Sequence, residues 1–139
     1  MCGIFGNISI SKNLKNNKKF FLKSLSLLSH RGPDDEGYFL NDQIAFGHKR
    51  LSIIDLTKNG KQPMFSQEKS SVITYNGEIY NYKELKSDLI KKGFKFKNKT
   101  DTEVLLNGLI DQGPSFINKC NGMFTFAYHN KKKKVSYIF

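Results

Sequence analysis

Between its strand-like segments the chain sets two helix-like stretches in succession, at 82–93 and 100–113. A regular βαβ series needs a helix after each strand, so this order excludes it and predicts an α+β fold. The strand-like segments are short and alternating. CGIFGNISI at 2–10 sets Ile4, Ile8 and Ile10 on one face, with Phe5 out of pattern. A helix over 18–28 follows, with Phe21, Leu25 and Leu28 in register. HRGPDDEG cannot continue it, because Pro33 lacks an N–H. GYFL and QIAFGH flank Asn41 and Asp42 as a hairpin, and a Gly/Pro-containing loop is expected over 57–70. SVITYNGEIYN begins as a strand and ends in a turn. YKELKSDLIKKG is amphipathic, with Leu85, Leu89 and Ile90 facing inward. Thr100 and Glu103 have capping-box spacing at the start of the next helix, which Gly113 and Pro114 close. GMFTFAYHN and KVSYIF form a last hairpin about a lysine-rich tip.

At 139 residues and 16.0 kDa, 1–139 is the size of one domain, and 38% hydrophobic content excludes wholesale disorder. No apolar run nears the ~20 residues of a membrane helix, so no membrane partner is expected. The opening residues lack the basic-then-apolar order of a signal peptide. Cys2 and Cys120 are too few for a disulfide scaffold, so a reducing cytoplasm is the expected compartment. The formal charge is +11, but the lysines are scattered and no aromatic–basic stacking motif accompanies them, so no nucleic-acid partner is expected. Of 23 basic residues only Arg31 and Arg50 are arginine. In so lysine-rich a chain these two mark places where a planar, two-pronged cation is used.

Several residues could carry chemistry. Removing Met1 would leave Cys2 with a free α-amine of pKa ~8, able to act as base for its own thiol. Alternatively, Cys2 is a small apolar residue opening a strand. Asn76 and Gly77 could aim a side-chain amide and a backbone N–H at an oxyanion, or form a plain hairpin turn. Arg50 suits a carboxylate or a surface ion pair. Asp101 suits an ammonium group or the first turn of a helix. Jointly, Arg50 and Asp101 would grip both ends of a zwitterionic α-amino acid. His30, His48 and His129 read as structural. No His, Cys and Asp cluster has metal-ligand spacing, so no metal is expected.

MCGIFG, HRGPDDEG, GHKRLSIIDL, QPM, YNGEIYNY and TDTEVLLNG, in this order along the chain, resemble the glutamine-hydrolysing domain of the bacterial B-type asparagine synthetase family. Glucosamine-6-phosphate synthase and amidophosphoribosyltransferase share the opening cysteine and an asparagine–glycine motif, but lack the Pro-Asp-Asp and LSIIDL features. The resemblance implies a four-layer αββα sandwich of two antiparallel sheets, of the N-terminal-nucleophile hydrolase type. It implies Cys2 as nucleophile and Asn76 and Gly77 as the oxyanion hole. Arg50 would hold the glutamine α-carboxylate, and Asp101 with the Glu78 region its α-amino group. Arg50, Leu51, Ser52, Ile53 and Ile54 would line the glutamine site with backbone, and Arg31 would serve a structural role beside it. Glutamine and an ATP-pyrophosphatase synthetase domain are the implied partners. No cofactor is expected in this domain; ATP and magnesium belong to the synthetase domain. Compared with the family, the chain is expected to be C-terminally incomplete, leaving an open sheet edge near Met123 and Ile138. A catalytically silent remnant, or a glutaminase serving an acceptor other than aspartate, are the alternatives.

Overall fold

The computed structural model describes residues 2–11, 13–51 and 60–139. The chain builds two antiparallel sheets. The first contains β1 (Gly3–Ile8), β2 (Asp35–Leu40) and β3 (Ile44–Arg50), in the order β1-β3-β2. The second contains β4 (Met64–Phe65), β5 (Ser71–Ile79), β6 (Gly122–Asn130) and β7 (Val135–Ile138), in the order β4-β5-β6-β7. Helix α1 (Lys18–Ser26) covers the outer face of the first sheet. Helices α2 (Tyr82–Lys91) and α3 (Asp101–Gln112) cover the second. The result is the αββα layering and α+β class expected.

Three apolar clusters fill the gaps between layers. Phe21 and Leu25 of α1 pack on Ala45, with Leu14 and Phe5 beside them. Ile44, Phe46 and Val72 meet between the sheets. The largest cluster joins Ile73, Ile79, Phe126 and Tyr128 of the second sheet to Leu85, Leu89, Val104, Leu105 and Leu109 of α2 and α3. Each such side chain, taken fully from water, contributes roughly 1.5–3 kcal/mol, so the second sheet and its helices hold most of the apolar stabilisation.

The structure departs from the sequence reading in several places. Ile10 lies past the end of β1 and is 95% exposed, whereas Phe5 packs on Phe21, at 5.3 Å between ring centroids. Ile90 sits on the solvent side of α2 and is 53% exposed; Leu85 and Leu89, with Tyr82 partly buried beside them, fill the inward stripe. The loop over 57–70 contains β4. Thr100 caps α3 by accepting from the Glu103 N–H at 3.3 Å. The Glu103 carboxylate, however, does not return to the cap. It accepts from the backbone N–H groups of Lys97 and Asn98, at 3.0 and 2.7 Å, fastening the α2–α3 connection. After Gly113 the chain does not leave helical geometry at once but winds through a 3₁₀ segment, Gly113–Lys119. Asn76 and Gly77 are not a hairpin turn: β5 runs through them to Ile79.

The two sheets are also joined by polar contacts. Thr74 Oγ1 donates to the Gly47 carbonyl at 3.3 Å, and His48 Nε2 lies 3.1 Å from the Tyr75 carbonyl. A carbonyl only accepts, so Nε2 carries the proton in this bond. His48 is 1% exposed. Burial is the main cause that lowers its pKa to about 4, the Tyr75 bond opposing and Arg50 adding. The unfolded chain, with a histidine near 6.5, therefore binds the proton that the folded chain rejects. His48 thus stabilises the fold above pH 6.5, and that stability is lost as pH falls through 6.5 toward 4, by roughly 3 kcal/mol in all. Urea melts at stepped pH should show this slope. It should flatten in His48→Gln, which keeps a donor but cannot titrate.

Candidate active site

One cavity, of about 190 Å³, opens where β1 begins, β3 ends and β5 passes α3. Its position follows from a break in the second sheet. β4 pairs only with Val72 and Ile73 of β5. Continuing the register would bring Pro63 opposite Thr74 and Gln62 opposite Tyr75, but proline has no N–H to continue a ladder. Beyond Ile73, the edge of β5 therefore lacks a strand partner among the described residues.

Three successive N–H groups point from that edge. Phe126 exchanges both of its backbone hydrogen bonds with Phe139, so Tyr75, directly opposite it, directs its own backbone groups away from β6. The Tyr75 N–H donates to Gln62 Oε1 at 2.7 Å, and the Ile79 N–H donates to Asp101 Oδ2 at 3.0 Å. By alternation the Gly77 N–H, between them, faces the same edge, and Gly77 lines the cavity. Gly77 has φ +153°, and a Cβ there would collide with the Met123 carbonyl and Phe124 Cα, so only glycine fits this bend. Thr74 points at the first sheet through its bond to Gly47. Alternation turns the half-buried Asn76 the same way, and its side-chain amide makes no hydrogen bond among the described residues.

Cys2 lies across the cavity, one residue before the Gly3–Lys49 pair that opens β1. Its sulfur receives the Leu51 N–H at 3.3 Å and sits 3.6 Å from the Leu51 carbonyl. Arg31 Nε donates to the Cys2 carbonyl at 3.2 Å, in keeping with a structural role. Arg50 is the last residue of β3. It lies between Asp35 of β2 and the start of β1, with its side chain on the inter-sheet face shared by Phe46 and His48. It is buried, and its guanidinium rests against Gly60, where an added Cβ would overlap Nη2.

Asp101 opens α3 and is buried. Besides the Ile79 N–H, Oδ2 accepts from the Tyr75 hydroxyl at 2.6 Å, and Oδ1 accepts from the Thr102 N–H at 2.9 Å. Burial, then the neighbouring Asp101 carboxylate, push the Tyr75 phenol far above its ordinary pKa, so the hydroxyl keeps its proton and donates. Glu78 lines the rim and is exposed.

The cavity therefore gathers Cys2, Arg50, Leu51, Asn76, Gly77, Glu78 and Asp101. Ser52, Ile53 and Ile54 lie outside the described residues. Gly60, Gln62, Tyr75 and Thr102 also line it, and residue-by-residue reading had assigned them no role. The QPM motif, with a polar residue before a strand-breaking proline, was the available signal for Gln62. Cys120 stands apart: its thiol faces the Phe116 carbonyl at 3.6 Å, and burial raises its pKa to about 11. At 190 Å³ the cavity is smaller than the roughly 300–1,000 Å³ of drug-sized sites and suits a single small metabolite. With one cationic fork and one carboxylate inside, it matches a zwitterion. Among the described residues no three metal-ligating side chains cluster, and no helix is long and apolar enough to cross a membrane.

Residues 1–138 match the family described as glutamine amidotransferase domain. The chain is 37% identical over 137 residues to asparagine synthetase (glutamine-hydrolyzing) 3 of Bacillus subtilis (strain 168), covering 97% of this chain and 22% of that protein. It is 37% identical over 133 residues to asparagine synthetase B (glutamine-hydrolyzing) of Escherichia coli (strain K12), covering 96% of this chain and 24% of that protein. The chain thus spans about a quarter or less of the length of these curated relatives. Among solved structures, glutamine phosphoribosylpyrophosphate amidotransferase from B. subtilis, complexed with ADP and GMP, superposes with a TM-score of 0.68. The identity is 21%, over 94% of this chain and 35% of that one, a likeness of fold alone.

Gly60→Ala separates site from scaffold. The new methyl meets the end of a flexible side chain, so the melting temperature should move by no more than a degree or two while the guanidinium is displaced. Calorimetric titration with glutamine should show weaker binding by roughly tenfold, as for a charge-assisted hydrogen bond lost.

Proposed function

The chain belongs to the glutamine amidotransferase domain family, and from that membership we propose that it hydrolyses glutamine to glutamate and ammonia with Cys2 as nucleophile. The single observation that carries the reading is the convergence, on one small cavity, of a thiol, an edge N–H beside a side-chain amide, and two buried groups of opposite charge. On this reading Met1 is removed, and the α-amine of Cys2 takes the thiol proton. The sulfur attacks the side-chain carboxamide carbon. The Gly77 N–H and the Asn76 amide stabilise the oxyanion that forms. The C–N bond breaks, the amine returns its proton to the departing nitrogen as ammonia leaves, and a thioester remains. Water then cleaves the thioester to glutamate and restores the thiol. Arg50 binds the α-carboxylate, Asp101 binds the α-ammonium, and Glu78 flanks the ammonium from the rim.

The relatives named above as asparagine synthetases support a destination for the ammonia. We assign it to a synthetase domain that converts aspartate to asparagine, with ATP and magnesium acting there; no residue of this chain is given a role toward either.

Cys2→Ala should abolish glutamate release while leaving glutamine binding largely intact. A glutamine-like affinity label should add to residue 2 of a chain that mass spectrometry finds free of Met1. An adduct on Cys120, or an active Cys2→Ala protein, overturns the assignment.

Arg50→Lys should be costly in spite of its retained charge. An ammonium cannot offer the parallel two-pronged contact of a guanidinium, and KM for glutamine should rise tenfold or more, with kcat changed far less. An unchanged KM would remove Arg50 from the site.

A further inference from the structure

We propose that Tyr75 is a positioning residue for amine recognition: its hydroxyl fixes the Asp101 carboxylate so that one acceptor direction is left for the substrate, and thereby sets the preference for an α-amino acid over the same amide lacking the amine. The inference rests on the glutamine reading above and adds to it the residue that makes Asp101 selective.

Tyr75 engages three elements with its three polar groups. Its carbonyl accepts from His48 of β3 at 3.1 Å, its N–H donates to Gln62 ahead of β4 at 2.7 Å, and its hydroxyl donates to Asp101 at the start of α3 at 2.6 Å. The ring is 3% exposed and lies against Phe124, with centroids 6.3 Å apart, so the hydroxyl has no freedom to wander. A carboxylate offers about four acceptor directions. At Asp101, Tyr75 and Ile79 occupy those of Oδ2, and Thr102 takes one on Oδ1. The remaining Oδ1 direction belongs to a group lining the cavity. Of the three donors, two are backbone N–H groups tied to β5 and α3. The hydroxyl is the only side-chain donor of the set, and it can be removed without altering the main chain. Tyr75 also directly precedes Asn76 and Gly77, so one residue holds both the amine grip and the strand that presents the oxyanion donors.

Without the hydroxyl, Asp101 keeps both backbone donors and the fold should survive, but the carboxylate can rotate off its aim. Tyr75→Phe should then weaken glutamine while sparing 4-carbamoylbutanoate, which has the same carboxamide and carboxylate but no amine. The test measures equilibrium binding of both compounds to the full chain carrying Cys2→Ala, where no turnover intervenes, and steady-state glutamate release in chains with Cys2 intact. The expected result is a glutamine Kd and KM raised roughly tenfold, kcat within threefold, and an unchanged Kd for the amine-free analogue, so that preference between the two falls by the same tenfold. An equal loss for both compounds, or none for either, overturns the inference while leaving the glutamine reading in place. No glutamine binding to the parent chain overturns both. Should the Phe variant fail to fold, 3,5-difluorotyrosine at position 75 keeps the shape and changes the hydroxyl's acidity. It must shift the glutamine Kd and not the analogue's, and identical Kd values before and after fluorination would refute the role of the hydroxyl.

Discussion

β4 covers only two residues of β5, and the site exists because of that shortfall. Backbone N–H and C=O groups on a buried strand edge must find partners, since each one left bare costs energy comparable to a lost hydrogen bond. On β5 those partners are side chains from every surrounding layer: Gln62 from the loop, His48 from the facing sheet and Asp101 from the helix layer. The Gly77 N–H, between two satisfied neighbours, faces the cavity with no such side chain among the described residues. A full-length β4 would have satisfied the whole edge with backbone and left no donor for a substrate. Pro63 is the residue that prevents this.

The same economy governs charge. The +11 excess is carried mostly by exposed lysines, whose ion pairs, such as Lys91–Asp88 and Lys132–Glu68, contribute at most about 1 kcal/mol each. The cavity is built differently. Arg50 and Asp101 are buried, and burying a charge costs several kcal/mol unless hydrogen bonds offset it. Asp101 meets that cost with three fixed donors. Those donors also preset its orientation, so the energy that keeps the carboxylate in the fold would also prepare it for the ammonium group proposed above. Lys49, as buried as Arg50 and paired with Glu36, adjoins it in sequence. Strand alternation sends the two cations to opposite faces of the first sheet.

How much of this was legible in the sequence depended on which force decided each residue. The α+β class and the terminal hairpin followed from apolar periodicity, because burial decides them, whereas the αββα layering came only with the family likeness. The site residues could be named because Cys2, Arg50, Asn76, Gly77 and Asp101 occur in motifs with a family likeness, but their convergence is a tertiary fact that spacing cannot give. Ile90 and Ile10 were misread because periodicity counts an isoleucine as inward whether or not a neighbouring layer reaches it; at both positions none does. Asn76-Gly77 has the composition of a hairpin turn, yet pairing with Thr125 and Phe124 across nine residues of β5 outweighs the local preference. Glu103 sits at capping-box spacing, but two backbone N–H groups in the α2–α3 connection offered its carboxylate more than the single one at the cap. Gly60 had no sequence signal of its own and matters because a guanidinium rests on it; Tyr75 opens the YNGEIYNY motif, but its weight, that three layers meet there, is a tertiary fact.

The proposed role of Cys2 as an N-terminal nucleophile carries a difficulty that an internal one does not. Chain ends fray, and ordering a residue costs about 1–2 kcal/mol of backbone entropy, while attack on a carboxamide needs the sulfur held within a narrow range of positions. Here the ordering is done by the fold before any substrate arrives. Gly3 pairs with Lys49 on the central strand of the first sheet, Arg31 holds the Cys2 carbonyl, and the Leu51 N–H holds the sulfur. All three anchors act on atoms other than the Cys2 nitrogen, the group that in the proposed mechanism must remain free to carry a proton. β3 supplies the pairing partner, ends in Arg50, and leads into Leu51, so a single strand positions the proposed nucleophile and the proposed carboxylate grip together. A shift of β3 by one residue would turn His48 and Arg50 away from the inter-sheet face and carry the sulfur's anchor with them. The buried His48–Tyr75 bond between the sheets is therefore as much a condition of the proposed chemistry as of the fold.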